Sequence, residues 1–92
     1  MDLILKNLRM ENCEICCDVG EYSNQGKEGT LTFEYSVDGA TVKKEKRVKL
    51  FYPARTESIP PTPHTGKVHS VNATLEALGQ KTAERQHLKF CD

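Results

Sequence analysis

A chain of 92 residues allows one domain with a single thin core, and no second one. Hydrophobic residues make up 37% and Trp is absent, which suits a thin sheet-on-helix core of modest stability. Net charge is zero, which argues against simple wrapping of a polyanion, yet residues 1–38 carry 8 acidic and 3 basic side chains while residues 41–55 carry 6 basic and 1 acidic.

Asp2 follows Met1, and Leu3-Ile4-Leu5 is too short for the apolar segment of a signal peptide. No apolar run approaches membrane-spanning length. A cytoplasmic location is expected, with the four cysteines reduced. Residues 2–10 read as a first strand, with Leu3 and Leu5 on one face and Ile4, Leu8 and Met10 near the other. A turn or bulge is expected at Glu11-Asn12. Cys13, Ile15, Cys17 and Val19 then alternate with polar positions, the period of a second strand. Gly20 to Glu28 is polar and reads as a loop.

The stretch from Gly29 to Tyr52 is the most informative. Leu31, Phe33 and Tyr35 alternate with Thr32, Glu34 and Ser36. Asp38-Gly39 follows, the dipeptide of a two-residue hairpin turn whose central residues both need positive φ. Such a turn pairs Tyr35 with Val42, Glu34 with Lys43 and Phe33 with Lys44. The returning strand carries Lys43, Lys44, Lys46, Arg47 and Lys49 against only Glu45, with Phe51 and Tyr52 directly after. Lys44, Lys46 and Val48 share one face; Lys43, Arg47 and Lys49 share the other. Two readings stay open. The ribbon is a contact surface for phosphates or acidic protein, with aromatics available to stack on bases. Alternatively it is a solvated edge whose lysines block edge-to-edge aggregation.

Pro53 ends that strand, and Pro60, Pro61 and Pro63 continue a connector biased to the extended polyproline conformation. Ser70 or Asn72 can cap a closing helix with an apolar stripe of Val71, Leu75 and Leu78. Gly79 weakens its middle, and Lys81, Arg85 and Lys89 suit its C-terminal end. The expected fold is therefore α+β: an antiparallel sheet of about four strands with one C-terminal helix packed on it, residues 1–92 forming a single domain.

Catalytic patterns are missing: there is no Gly-x-Ser-x-Gly, His-Glu-x-x-His, phosphate loop or dinucleotide fingerprint. A non-enzymatic protein without a cofactor is expected. Cys13-x-x-Cys16 with His87 and Cys91 offers a Cys₃His zinc alternative. A strand places Cys13 and Cys16 on opposite faces, however, so thiols packed as small hydrophobes are expected instead, with no metal site.

The polarised chain, the Leu31–Tyr35/Val42–Leu50 hairpin and the single helix from about Val71 resemble the small phage-encoded anti-CRISPR proteins, in particular inhibitors of the type I-F surveillance complex. The resemblance is one of size and layout, with no motif to transfer residue by residue. It implies a non-enzymatic phage protein that acts in the cytoplasm of the host cell. Such a protein would bind the CRISPR RNA–protein complex, contact its guide RNA or nearby acidic surfaces through Lys43, Lys44, Lys46, Arg47 and Lys49, and hinder target DNA recognition or hybridisation. A small nucleic-acid-binding or zinc-stabilised regulatory domain is the alternative.

Overall fold

The fold is taken from a computed structural model that describes residues 3–59 and 64–92. Among the described residues seven strands follow in order: β1 (Leu3–Glu11), β2 (Glu14–Glu21), β3 (Lys27–Val37), β4 (Ala40–Leu50), β5 (Arg55–Ser58), β6 (Val68–Ala77) and β7 (Gln80–Lys89). They form two antiparallel sheets, a three-stranded one in the order β1-β2-β5 and a four-stranded one in the order β4-β3-β6-β7. The inner faces of both sheets meet in one core.

The expected C-terminal helix is not there: residues 68–89 form the β6–β7 hairpin, so the α+β expectation gives way to an all-β fold. Val71, Leu75 and Leu78 satisfy helical spacing, but Val71, Ala73, Leu75 and Ala77 also alternate strictly with Asn72, Thr74 and Glu76. The second pattern wins because β6 lies beside β3, where all four apolar residues enter the core. Leu78 occupies the turn and is exposed. Lys81, Arg85 and Lys89 sit on a strand, with no helix dipole to complement. The connector also holds a short strand: β5 pairs with β2 through Cys16↔Ser58 to Val19↔Arg55. Pro60, Pro61 and Pro63 lie outside the described residues.

Three hairpins share one turn geometry. Register pairs Glu11 with Glu14, Val37 with Ala40 and Ala77 with Gln80, leaving two-residue turns at Asn12-Cys13, Asp38-Gly39 and Leu78-Gly79. Both central residues have positive φ in each turn, the type I′ signature that follows the right-handed strand twist. The Asp38-Gly39 register is as expected, with Tyr35 opposite Val42, Glu34 opposite Lys43 and Phe33 opposite Lys44.

β1 keeps its apolar side chains inward by means of a bulge. Pairing shifts by one residue between Lys6↔Asp18 and Arg9↔Cys16, and Asn7 takes φ 56° there. The extra residue reverses the alternation. Leu8 and Met10 therefore join Leu3 and Leu5 on the core side, rather than opposing them as a regular strand would require. On the solvent side Asp18 ties the small sheet together. It accepts from Asn7 Nδ2 at 2.9 Å, Thr56 Oγ1 at 2.9 Å and Arg9 Nη1 at 3.2 Å. Burial alone would raise its pKa; these three hydrogen bonds and the Arg9 charge outweigh burial and hold it below the usual carboxylate value.

The edges of the two sheets meet at two seams. At one, Lys46 Nζ of β4 donates to the Ser58 carbonyl of β5 at 2.7 Å and pairs with Glu57 Oε1 at 3.0 Å. At the other, the Leu8 amide in the β1 bulge donates to Glu84 Oε1 of β7 at 2.8 Å. A disulfide joins Cys13, in the β1–β2 turn, to Cys91 just beyond β7. The expectation that all four cysteines are reduced is corrected here: the type I′ turn and the end of β7 bring the two Cα atoms to 5.7 Å, within bridging range.

Candidate interaction surface

Register decides where each cation of β4 points. Lys44 and Lys46 oppose Phe33 and Leu31, so they lie on the core side of the sheet's edge and are half-buried. Lys46 is used by the seam. Lys44 borders a recess shared with Glu14, Ser58 and Ile59. Lys43, Arg47 and Lys49 oppose Glu34, Thr30 and Glu28 on the outer face and are exposed. Lys43 approaches Glu45 at 4.0 Å, an exposed contact worth little. Among the described residues Arg47 and Lys49 have no ion-pair partner.

Cross-strand register extends this outer face over four strands. One row runs Lys43–Glu34–Asn72–Arg85 and another Arg47–Thr30–Glu76–Lys81. Both edge strands thus contribute cations, while hydroxyls, an amide and two carboxylates occupy the centre. The face encloses a shallow depression of ≈ 620 Å³ floored by Thr30, Thr32 and Thr74. Arg85 is held by a bond from Nε to Ser70 Oγ at 2.8 Å. Lys81 and Arg85 were not expected here. Their signal was the period-2 alternation of residues 71–77, which places β7 beside β6 and turns odd-numbered β7 residues outward.

At the end of the same sheet lies an exposed aromatic pair. Tyr22 follows β2 and Tyr52 follows β4; their rings stand 5.2 Å apart at 36° and are 59% and 49% exposed. The neighbouring Phe51 is half-buried, with the Arg55 guanidinium 4.1 Å above its ring. Tyr52 was visible in sequence beside the basic strand. Tyr22 was not, because a lone aromatic in the polar stretch from Gly20 to Glu28 carries no periodic signal.

Most of the other chemistry-bearing side chains singled out in the sequence are engaged in structure, while His87 is exposed on β7. Cys13 and Cys91, two members of the Cys₃His alternative, bond to each other. Cys16 and Cys17 are buried; desolvation pushes the Cys17 thiol up to about 12 and raises Cys16 as well, so neither is a poised nucleophile. The His69 ring nitrogens meet the Ser36 carbonyl at 3.0 Å and Thr65 Oγ1 at 2.7 Å, and its ring packs on Phe90. Among the described residues no three His, Cys, Asp or Glu side chains gather as a metal site. Comparison of the chain with family models, with curated proteins and with solved structures returned no match.

Proposed function

We propose that this protein works by stoichiometric, non-catalytic binding of a macromolecular partner through the outer side of β4. The observation that carries this reading is the set of exposed, weakly paired cations Lys43, Arg47 and Lys49 on one edge strand, with Lys81 and Arg85 sharing their face. Lysines on an edge strand also serve to block aggregation; what favours a contact surface here is that Lys43, Arg47 and Lys49 share one face, with Glu45 the acid among them. The inaccessible thiols and the fully engaged His69 support binding over nucleophilic chemistry.

The partner to test first is the type I-F CRISPR surveillance complex with its guide RNA, the protein then acting as a phage inhibitor in the host cytoplasm. Of the layout behind that resemblance the hairpin stands and the helix does not, so the support is now the charge of β4. The Cys13–Cys91 bond is an unusual companion to a reducing compartment. The test is titration of wild type and the Lys43→Glu/Arg47→Glu variant against the purified complex at low and high salt. Wild type should bind, more weakly as salt rises, and charge reversal should weaken binding by tenfold or more, on the order of 1.4 kcal/mol. Both positions are exposed, so the melting temperature should hold. Equal affinity of the two proteins removes β4 as the contact; no binding by wild type removes this partner.

A further inference from the structure

We propose that Tyr22 and Tyr52 form a stacking platform for the bases of a single-stranded nucleic acid whose phosphates follow the outer cations of β4. The inference rests on β4 as the contact strand and names what that strand would hold.

The two rings are large, apolar and in water, although the core has room for Phe33, Phe90 and Tyr35. Their backbone is fixed from below. The Glu21 amide donates to the Phe51 carbonyl at 3.1 Å, and the Tyr52 amide donates to Asn24 Oδ1 at 2.9 Å. Gly20 presses on the same chain: a Cβ there would run into the Phe51 carbonyl oxygen and stand 3.0 Å from Ala54 Cα. The segment after β2 and the segment after β4 are therefore locked together, and the rings are presented with little entropy left to lose on binding.

The charge around the platform is positive. Lys49 and Arg47 lie on the strand leading to Tyr52, Lys27 pairs in register with Leu50, and Arg55 covers Phe51. Among the described residues, Glu21 is buried and bonded to the Ser23 amide and hydroxyl, Glu28 stands opposite Lys49, and Glu45 lies farther back along β4. Alternate residues of a strand stand roughly 6.7 Å apart on one face, so Arg47 and Lys49 offer successive contacts to a chain that follows β4 toward its C-terminal end, just beyond which Tyr52 lies. A cationic track ending on exposed aromatics is the combination that holds single strands with little sequence preference, since every base has a π face. A duplex keeps its bases stacked and cannot use the rings.

The experiment is fluorescence anisotropy with a labelled mixed-sequence oligonucleotide of about 12 nucleotides, single-stranded and as a duplex. Single strands should bind more tightly than duplex. Tyr22→Ala/Tyr52→Ala should weaken single-strand binding by about tenfold or more without changing its salt dependence. Arg47→Glu/Lys49→Glu should instead flatten the salt dependence. The chain contains no Trp, so Tyr52→Trp gives a single reporter whose emission should be quenched by a stacked base, a readout that stands even if the double variant fails to fold. No binding of single strands, equal affinity of the double alanine variant, or unquenched Trp emission would each overturn the platform. Loss of oligonucleotide binding with the CRISPR complex still bound would leave the proposed function standing. Oligonucleotide binding without the complex would remove that partner and keep the platform.

Discussion

The two seams between the sheets meet the same difficulty with opposite charges. Strand edges present backbone groups that no neighbour satisfies. At the β4–β5 seam the orphan is a carbonyl, Ser58 O, and a cation, Lys46, reaches it from across the gap. At the β1–β7 seam the orphan is an amide, Leu8 N, released by the Asn7 bulge, and a carboxylate, Glu84, accepts from it. The inner faces of the two edge strands explain why polar residues can sit there. β4 turns Val48 and Leu50 into the core at its C-terminal end, and the segment from Leu88 to Phe90 does so at the end of β7. These strands run antiparallel, so their apolar ends lie at opposite ends of the sheet. The polar halves, with Lys44 and Lys46 on one strand and Thr82 and Glu84 on the other, fall at the remaining corners, where the smaller sheet's edges arrive. The seams also differ in their reinforcement: β1–β7 has a covalent bond beside its hydrogen bond, and β4–β5 the Lys46–Glu57 ion pair.

Removing what both seams share should open them together. Phe33 is fully buried between the sheets, and Phe33→Ala should cost about 3–5 kcal/mol, enough to threaten a domain this small. A melting temperature unchanged by that substitution would remove Phe33 from the common core. A smaller effect, confined to one seam, is expected from Cys91→Ser or a reductant. The bond spans 78 residues of sequence, and chain entropy alone assigns such a loop roughly 4.5 kcal/mol as an upper bound, of which crosslinks usually deliver less. Denaturant midpoints with and without reductant measure it, and hydrogen exchange should show β1 losing protection before β4. Equal loss on both strands would mean the seams are not independent. The smallest and most discriminating effect compares the two polar caps. Glu84→Leu leaves a part-buried amide without its acceptor and should cost about 1–3 kcal/mol. Lys46→Met should cost about 1 kcal/mol or less, because the side chain is 38% exposed and water can replace it. Reversal of that order would show the cation seam to be the tighter one.

Much of the sheet was legible in the sequence, and the reasons are local. Asp38-Gly39 predicts a turn type and with it every pair from Val37↔Ala40 onward, because a two-residue loop leaves no freedom of register. The β6–β7 hairpin escaped because Leu78-Gly79 is a weaker turn signal than Asp-Gly, and because alanine suits a helix as readily as a small core position. Neighbouring β3, with Leu31, Phe33 and Tyr35 already inward, resolved that ambiguity from outside the segment. β5 has no apolar residue in Arg-Thr-Glu-Ser and owes its existence to β2 and Ile59. The candidate site was legible in the same measure. Lys43, Arg47 and Lys49 followed from alternation within β4. Separating Lys46 from them required β5, and finding Lys81, Arg85 and Tyr22 required strands distant in sequence.

The Cys13–Cys91 bond also changes what a break in the chain means. With the two residues joined, everything between them is a covalent ring that contains six of the seven strands, β2 to β7. A protease that cuts this ring once opens it without releasing a fragment, and the two halves stay tethered at the far side of the cut. Rejoining then needs no encounter between separate molecules. The cysteine pair therefore makes a single nick reversible in its structural effect, and leaves a second cut, or a reductant, as the event that lets a piece of the sandwich diffuse away.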